Sequence, residues 1–214
     1  AAAEKFMKKL KVAAIETHVA DARTCCLNPA TSTHRQMSDE QLKAAGVDVG
    51  MVQIGNETNQ FLCGEKIWFN IQYLMQAGAK ATREVFPEAL VALHFANPEK
   101  GDSYLTYAKK MDYYQVDYDV FASSYYPFWH GTLDNLASVL NNIADTYGKK
   151  VMVAETSYAF TAEDTDFFGN TIGEGGGIVK DYPFTQQGQA NLVRAVTDTV
   201  VNRVHNGIGV FYWE

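Results

Sequence analysis

The sequence predicts an α/β protein built from repeated strand-helix units around a parallel sheet. Short apolar runs alternate with stretches whose apolar residues recur at helical spacing, and parallel neighbours need the crossover that such helices supply. Two of the runs also end in a carboxylate. Met51-Val52-Gln53-Ile54 leads into Gly55-Asn56-Glu57, and Lys150-Val151-Met152-Val153-Ala154 leads into Glu155. A β/α barrel keeps its catalytic side chains at the C-terminal ends of its strands.

Taken in order, residues 4–10 read as the end of a helix, and Lys11-Val12-Ala13-Ala14-Ile15 as a strand leading to Glu16, Thr17, His18 and Asp21. Cys25 to Met37 has loop composition, and Ser38-Asp39-Glu40 opens a short helix that ends at Gly46. After the Glu57 strand, Ile67, Ile71, Leu74 and Met75 mark a helix that Pro87 closes. Leu90-Val91-Ala92-Leu93 is the next strand, with His94 and Asn97 at its C-terminal end. A helix over Tyr104 to Met111 follows, then the strand Val120-Phe121-Ala122-Ser123-Ser124, which presents Tyr125, Tyr126, Trp129 and His130. That polar and aromatic cluster exceeds what packing alone requires. Leu133, Leu136, Leu140 and Ile143 form an amphipathic helix ending at Gly148, which returns the chain to the Glu155 strand. Leu192, Val193, Val196, Val200 and Val204 make the buried stripe of the last helix, and Gly209-Val210-Phe211-Tyr212-Trp213 is the final strand. The count is about six strands.

Composition narrows the chemistry. Against 18 Lys and Arg stand 25 Asp and Glu, a formal net charge of −7, whereas nucleic-acid binding depends on clustered cations. No apolar run is long enough to span a membrane, so neither nucleic acid nor membrane is an expected partner. Aromatic content is high, with 12 Tyr, 12 Phe and 3 Trp, and suits a neutral polysaccharide whose apolar sugar faces lie on flat rings. Cys25, Cys26 and Cys63 are too few and too oddly spaced for a disulfide framework, and show no metal-ligand spacing with histidine.

Two carboxylates on separate strand ends fit glycoside cleavage. One stays protonated to serve the leaving oxygen while the other stays ionised to attack the anomeric carbon or to activate water. The motifs VQIGNETN at 52–59, FASSYYPFWHGTLDNL at 121–136, VMVAETSYAFT at 151–161, YPFTQQGQANLV at 182–193 and GIGVFYWE at 207–214 together resemble glycoside hydrolase family 53, the endo-β-1,4-galactanases acting on arabinogalactan side chains of pectin. The likeness runs from about Lys43 onward and is weak before it. It implies a (β/α)8 TIM barrel of which the strands here correspond to the third through the eighth. Such a barrel takes about 250 residues, so the 214 residues are expected to form a single catalytic domain truncated at both ends.

The resemblance also implies roles. Glu57 becomes the general acid/base and Glu155 the nucleophile of a retaining mechanism, which requires carboxyl groups about 5–5.5 Å apart rather than the about 6.5–9.5 Å of inversion. Asn56 is placed to bond the sugar 2-hydroxyl, and Tyr126 to donate to the nucleophile. Trp129 and Trp213 are expected to stack on galactose, and His94 and His18 to line the cleft. Asp164, Asp166 and Asn170 set oxygen ligands at even spacing in the loop from Thr161 to Lys180, as a structural calcium site would. No organic cofactor is required. Family likeness implies secretion, while the N-terminal apolar stretch is broken by Glu16 and His18 before signal-peptide length. Two alternatives stay open: another endo-β-1,4-glycanase of the same clan, acting on mannan or glucan, and a non-catalytic carbohydrate-binding or inert fragment.

Overall fold

The computed structural model describes the backbone of residues 14–16, and residues 42–163 and 181–213 in full. Two compact units divide them: the described residues up to Phe95 with Lys110–Phe121, and Ala96–Lys109 with those from Ala122 on.

In the first unit the strands are β1 (Ala14–Glu16), β2 (Met51–Ile54), β3 (Leu90–Phe95) and the start of β4 (Val120–Ser124), adjacent in that order. β1 pairs with β2 in parallel, Ala14 opposite Met51, and β2 with β3 in parallel, Met51 opposite Leu90. Asp119 stitches the entry to β4, its N–H donating to the Val91 carbonyl (2.9 Å) and its carboxylate accepting from the Val91 N–H (2.8 Å). Nearly every side chain of β2 and β3 is buried, as a sheet covered on both faces demands.

The crossover between β2 and β3 is helix α1 (Trp68–Val85), which buries Ile71, Met75, Ala79 and Val85. Ile67, expected on that stripe, instead precedes the first helical turn and is 61% exposed. Glu65 explains the later start. Its carboxylate accepts from the Lys66 and Ile67 N–H groups and from Asn70 Nδ2, satisfying donors that the helix leaves open. Those bonds, the Ile67 one foremost, hold the Glu65 carboxyl below its ordinary pKa. Of the short helix expected before Gly46, one helical turn at 42–44 lies among the described residues.

The second unit holds the end of β4, then β5 (Lys150–Thr156) and β6 (Gly207–Tyr212). β5 and β6 are parallel with two register shifts, Val153 facing Val210 and Thr156 facing Tyr212. Helix α2 (Asp102–Tyr113) has its residues up to Lys109 in this unit and the rest in the first, and α3 (Leu133–Tyr147) forms the crossover from β4 to β5. Thr132 caps α3 by accepting the Asn135 N–H (3.1 Å). Gly148 ends it in the left-handed conformation, φ +64°, that a side chain disfavours. Leu136, Leu140 and Ile143 on its inner face are fully buried.

Helix α4 (Gln186–Asp198) is capped by Thr185, and the expected valine stripe does cover Leu192, Val196 and Val200. The helix is shorter than that stripe. From Thr199 to Arg203 the chain turns as a π-helix, whose Val200 still faces inward. The final strand begins at Gly207 rather than Gly209 and stops before Trp213.

Truncating Leu140 to Ala should cost about 2–5 kcal/mol of unfolding free energy by leaving a cavity under α3. Thr132→Ala should cost about 1 kcal/mol through the lost cap. Urea titration reads both as a lowered midpoint with an unchanged slope.

Candidate active site

In the first unit, β2 ends at Ile54 and Gly55 turns the chain at φ +74°. A β-carbon there would lie 2.6 Å from side-chain atoms of both Leu62 and Thr58, so glycine is required twice over. The turn delivers Asn56 and Glu57, both half-buried, and Glu57 sits at φ +43°, a conformation non-glycine residues adopt at a cost. Its neighbours supply the restraint. Thr58 donates from both its N–H (2.8 Å) and its hydroxyl (2.9 Å) to the His94 carbonyl.

The His94 ring completes the clamp. Its Nδ1 accepts from the Glu57 N–H at 3.4 Å and lies 3.2 Å from Gln53 Nε2, whose amide also donates to the Gly55 carbonyl (3.0 Å). Two donors converging on Nδ1 place the ring proton on Nε2. Burial pushes the His94 pKa down to about 3, so the ring is neutral across ordinary pH. His94, expected to line the cleft, is fully buried in β3. Through Nδ1 it holds the backbone of Glu57.

In the second unit Glu155 stands next to last in β5, buried to 8% exposure. The Tyr126 hydroxyl donates to its Oε2 at 2.9 Å, and its carbonyl accepts from the Tyr125 N–H (2.8 Å). A hydrogen bond aimed at the ionised form favours that form. The loop carrying Tyr126 is closed on itself: the Tyr126 N–H donates to His130 Nδ1 (3.0 Å), while the Trp129 and His130 N–H groups donate to the Tyr126 carbonyl (3.0 and 2.9 Å). Tyr125 donates from its hydroxyl to the Gly131 carbonyl (3.0 Å). Below the loop, Phe128 stacks on Tyr158 with centroids 5.0 Å apart, and Phe184 meets both rings.

Trp129 meets the Tyr126 ring edge-on at 5.6 Å and remains 49% exposed. Trp213, tied by its N–H to the Thr156 carbonyl, is 45% exposed. Rings this open are available to a ligand. His18, Asp164, Asp166 and Asn170 lie outside the described residues. Gln53 and Thr58 are the participants that sequence reading missed, and His130 was singled out in the cluster after β4 without a role. Gln53 carried a signal, because a polar side chain within an interior strand needs a partner. Cys63 is disulfide-bonded, a single bridge where the count and spacing of the cysteines had argued only against a disulfide framework.

The sequence profile of Glycosyl hydrolase family 53 matches residues 22–214. Over 181 residues, 85% of this chain, the sequence is 52% identical to an endo-beta-1,4-galactanase of Bacillus subtilis. It is 32% identical over 77% of the chain to an arabinogalactan endo-beta-1,4-galactanase of Cellvibrio japonicus. The chain spans 42% and 46% of the length of those two relatives. Among solved structures, the GH53 catalytic domain of Ignisphaera aggregans superposes with a TM-score of 0.77 at 30% identity, over 86% of this chain and 52% of that one. The strand-helix repeats described above are those of a (β/α)8 barrel.

The buried histidines give stability a pH dependence. Burial holds His94 at about 3 and His130 at about 4, below the ordinary 6.5 that each regains on unfolding. Between pH 6.5 and 5 the unfolded chain therefore binds more protons than the native one, and stability falls as pH falls. Each histidine contributes a slope of up to about 1.4 kcal/mol per pH unit. Denaturation midpoints measured across this window should drop on acidification, and His94→Asn should flatten the slope.

Proposed function

The chain belongs to glycosyl hydrolase family 53, and from that premise we propose that it carries the catalytic residues of a retaining, endo-acting β-1,4-galactanase acting on the galactan and arabinogalactan of pectin. The observation that carries the reading is the Tyr126 phenol on Glu155, a donor aimed at a buried carboxylate that must be ionised to act as a nucleophile. The names of the relatives at 52% and 32% identity support the substrate.

In this reading, a Glu155 oxygen attacks the anomeric carbon as the glycosidic C–O bond breaks. Glu57 gives its proton to the departing oxygen, so the first half-reaction leaves a glycosyl ester on Glu155 and an ionised Glu57. Water then attacks the same carbon, Glu57 takes its proton, and the ester bond breaks to restore Glu155. Two inversions give net retention. Asn56 bonds the 2-hydroxyl, an interaction that strengthens as positive charge develops on the ring. Trp129 and Trp213 offer their open faces to flanking galactose units.

The nucleophile and the acid/base that carries the proton are both side chains, so the reaction needs no organic cofactor. We further propose a structural calcium ion on Asp164, Asp166 and Asn170, supported by the sequence alone, and secretion, supported by family likeness. Among the described residues no helix is long and apolar enough to cross a membrane.

Reducing-sugar release from β-1,4-galactan, β-mannan and β-glucan tests the reading. Galactan should be cleaved in preference, and Glu57→Gln and Glu155→Gln should each lower the rate by about 10²–10⁴-fold. Preferential release from mannan or glucan would reassign the substrate, and full activity in either variant would remove that carboxylate from the mechanism. Chelation should lower the melting temperature if calcium is held, and leave it unmoved otherwise.

A further inference from the structure

Tyr126 reaches Glu155 from a loop, not from the sheet: β4 ends at Ser124, and Tyr126 stands two residues beyond it, before Pro127. A residue before proline is kept out of the helical region, and proline is favoured as the second residue of a turn. The Trp129 N–H closes that turn on the Tyr126 carbonyl at 3.0 Å. Proline fixes the chain after Tyr126 but does nothing for the N–H of Tyr126 itself. A part-buried N–H in a loop has no ladder to join and must find an acceptor elsewhere.

His130 supplies it. Its Nδ1 accepts that N–H at 3.0 Å, and its own N–H donates to the Tyr126 carbonyl at 2.9 Å, so both polar groups of Tyr126's backbone end on one residue. The His130 ring also bonds the Ser124 main chain, joining the last residue of β4 to the loop, and only 6% of the residue is exposed.

Resting on the reading of Glu155 as the nucleophile, we propose that His130 is its positioning residue: by clamping the Tyr126 backbone, it fixes the phenol on Glu155 Oε2. The role requires an unprotonated Nδ1. Burial, first of all, with the Ser124 bond opposing it and nearby Lys100 adding to it, holds the ring near pKa 4 and keeps that acceptor open at neutral pH.

The test is the titration of the Glu155 carboxyl, followed by carbon NMR on glutamate-labelled protein, with Glu155→Gln identifying the signal. Loss of the phenol in Tyr126→Phe should raise the midpoint by about one pH unit. His130→Ala should raise it comparably, and the double variant should add nothing further. His130→Asn, whose Oδ1 replaces Nδ1 as acceptor, should stay near wild type. His130→Gln, whose amide reaches the Nε2 position instead, should behave like His130→Ala.

A Glu155 midpoint that moves with Tyr126→Phe and stays in place in His130→Ala overturns the proposal. If His130→Ala does not fold, the Asn and Gln variants decide it, and equal midpoints in those two overturn it. On galactan, His130→Ala should lower kcat about tenfold with KM little changed, and should have no effect in the Tyr126→Phe background. Absence of galactan cleavage by the wild-type chain would refute the functional reading, while the carboxyl titration would still decide the role of His130.

Discussion

The hydrogen bond from the Tyr126 hydroxyl to Glu155 is the interaction on which the second unit's chemistry depends. Glu155 is nearly buried, and an ionised carboxylate out of water is tolerated only where donors are aimed at it. The phenol comes from a loop, so the fold must make that loop as firm as a strand. It does so with Pro127 inside the turn, the His130 ring and backbone on either side of Tyr126, and the Tyr125 hydroxyl on Gly131. The stack of Phe128 on Tyr158 then anchors the loop from beneath.

The first unit solves a similar problem for a different purpose. Glu57 needs a defined place rather than a donor, and it takes a left-handed backbone to project from the end of β2. Gln53, Thr58 and Gly55 all refer that turn to a single residue or its neighbour, with His94 accepting at its ring and at its carbonyl. The strain at Glu57 is of the order of 1–3 kcal/mol, and the several hydrogen bonds around it are of a size to hold it. In each unit, then, a neutral buried histidine accepts at Nδ1 and orders a backbone.

The sequence made the skeleton legible because parallel strands buried on both faces write continuous apolar runs. Val120–Ser124 and the strand ending near Glu155 needed nothing more. Where reading went astray, the cause was a hydrogen bond that a hydrophobic pattern does not record. Ile67 fits the helical stripe but lies outside α1, because Glu65 supplies the terminal acceptors two residues upstream. Val200 continues the α4 stripe although the backbone around it has passed into a π-helix, since a stripe reports which residues face inward and not which carbonyl each N–H reaches. The clamp of His94 on the Glu57 turn could not be read from either strand's own pattern, because its partner Gln53 is 41 positions away. Tyr126 and Glu155, by contrast, were legible as a pair from the family motifs, and 2.9 Å separates them.

In the proposed mechanism Glu155 forms the covalent bond to the sugar. Incubation with an activated 2-deoxy-2-fluoro galactobioside, whose electron-poor ring slows hydrolysis of the glycosyl ester, followed by peptide mass spectrometry, tests it most directly. One added fluorogalactobiosyl group is expected on the peptide containing Glu155, and none in Glu155→Gln. A label on another residue, or substrate turnover with inverted product and no label, would contradict it.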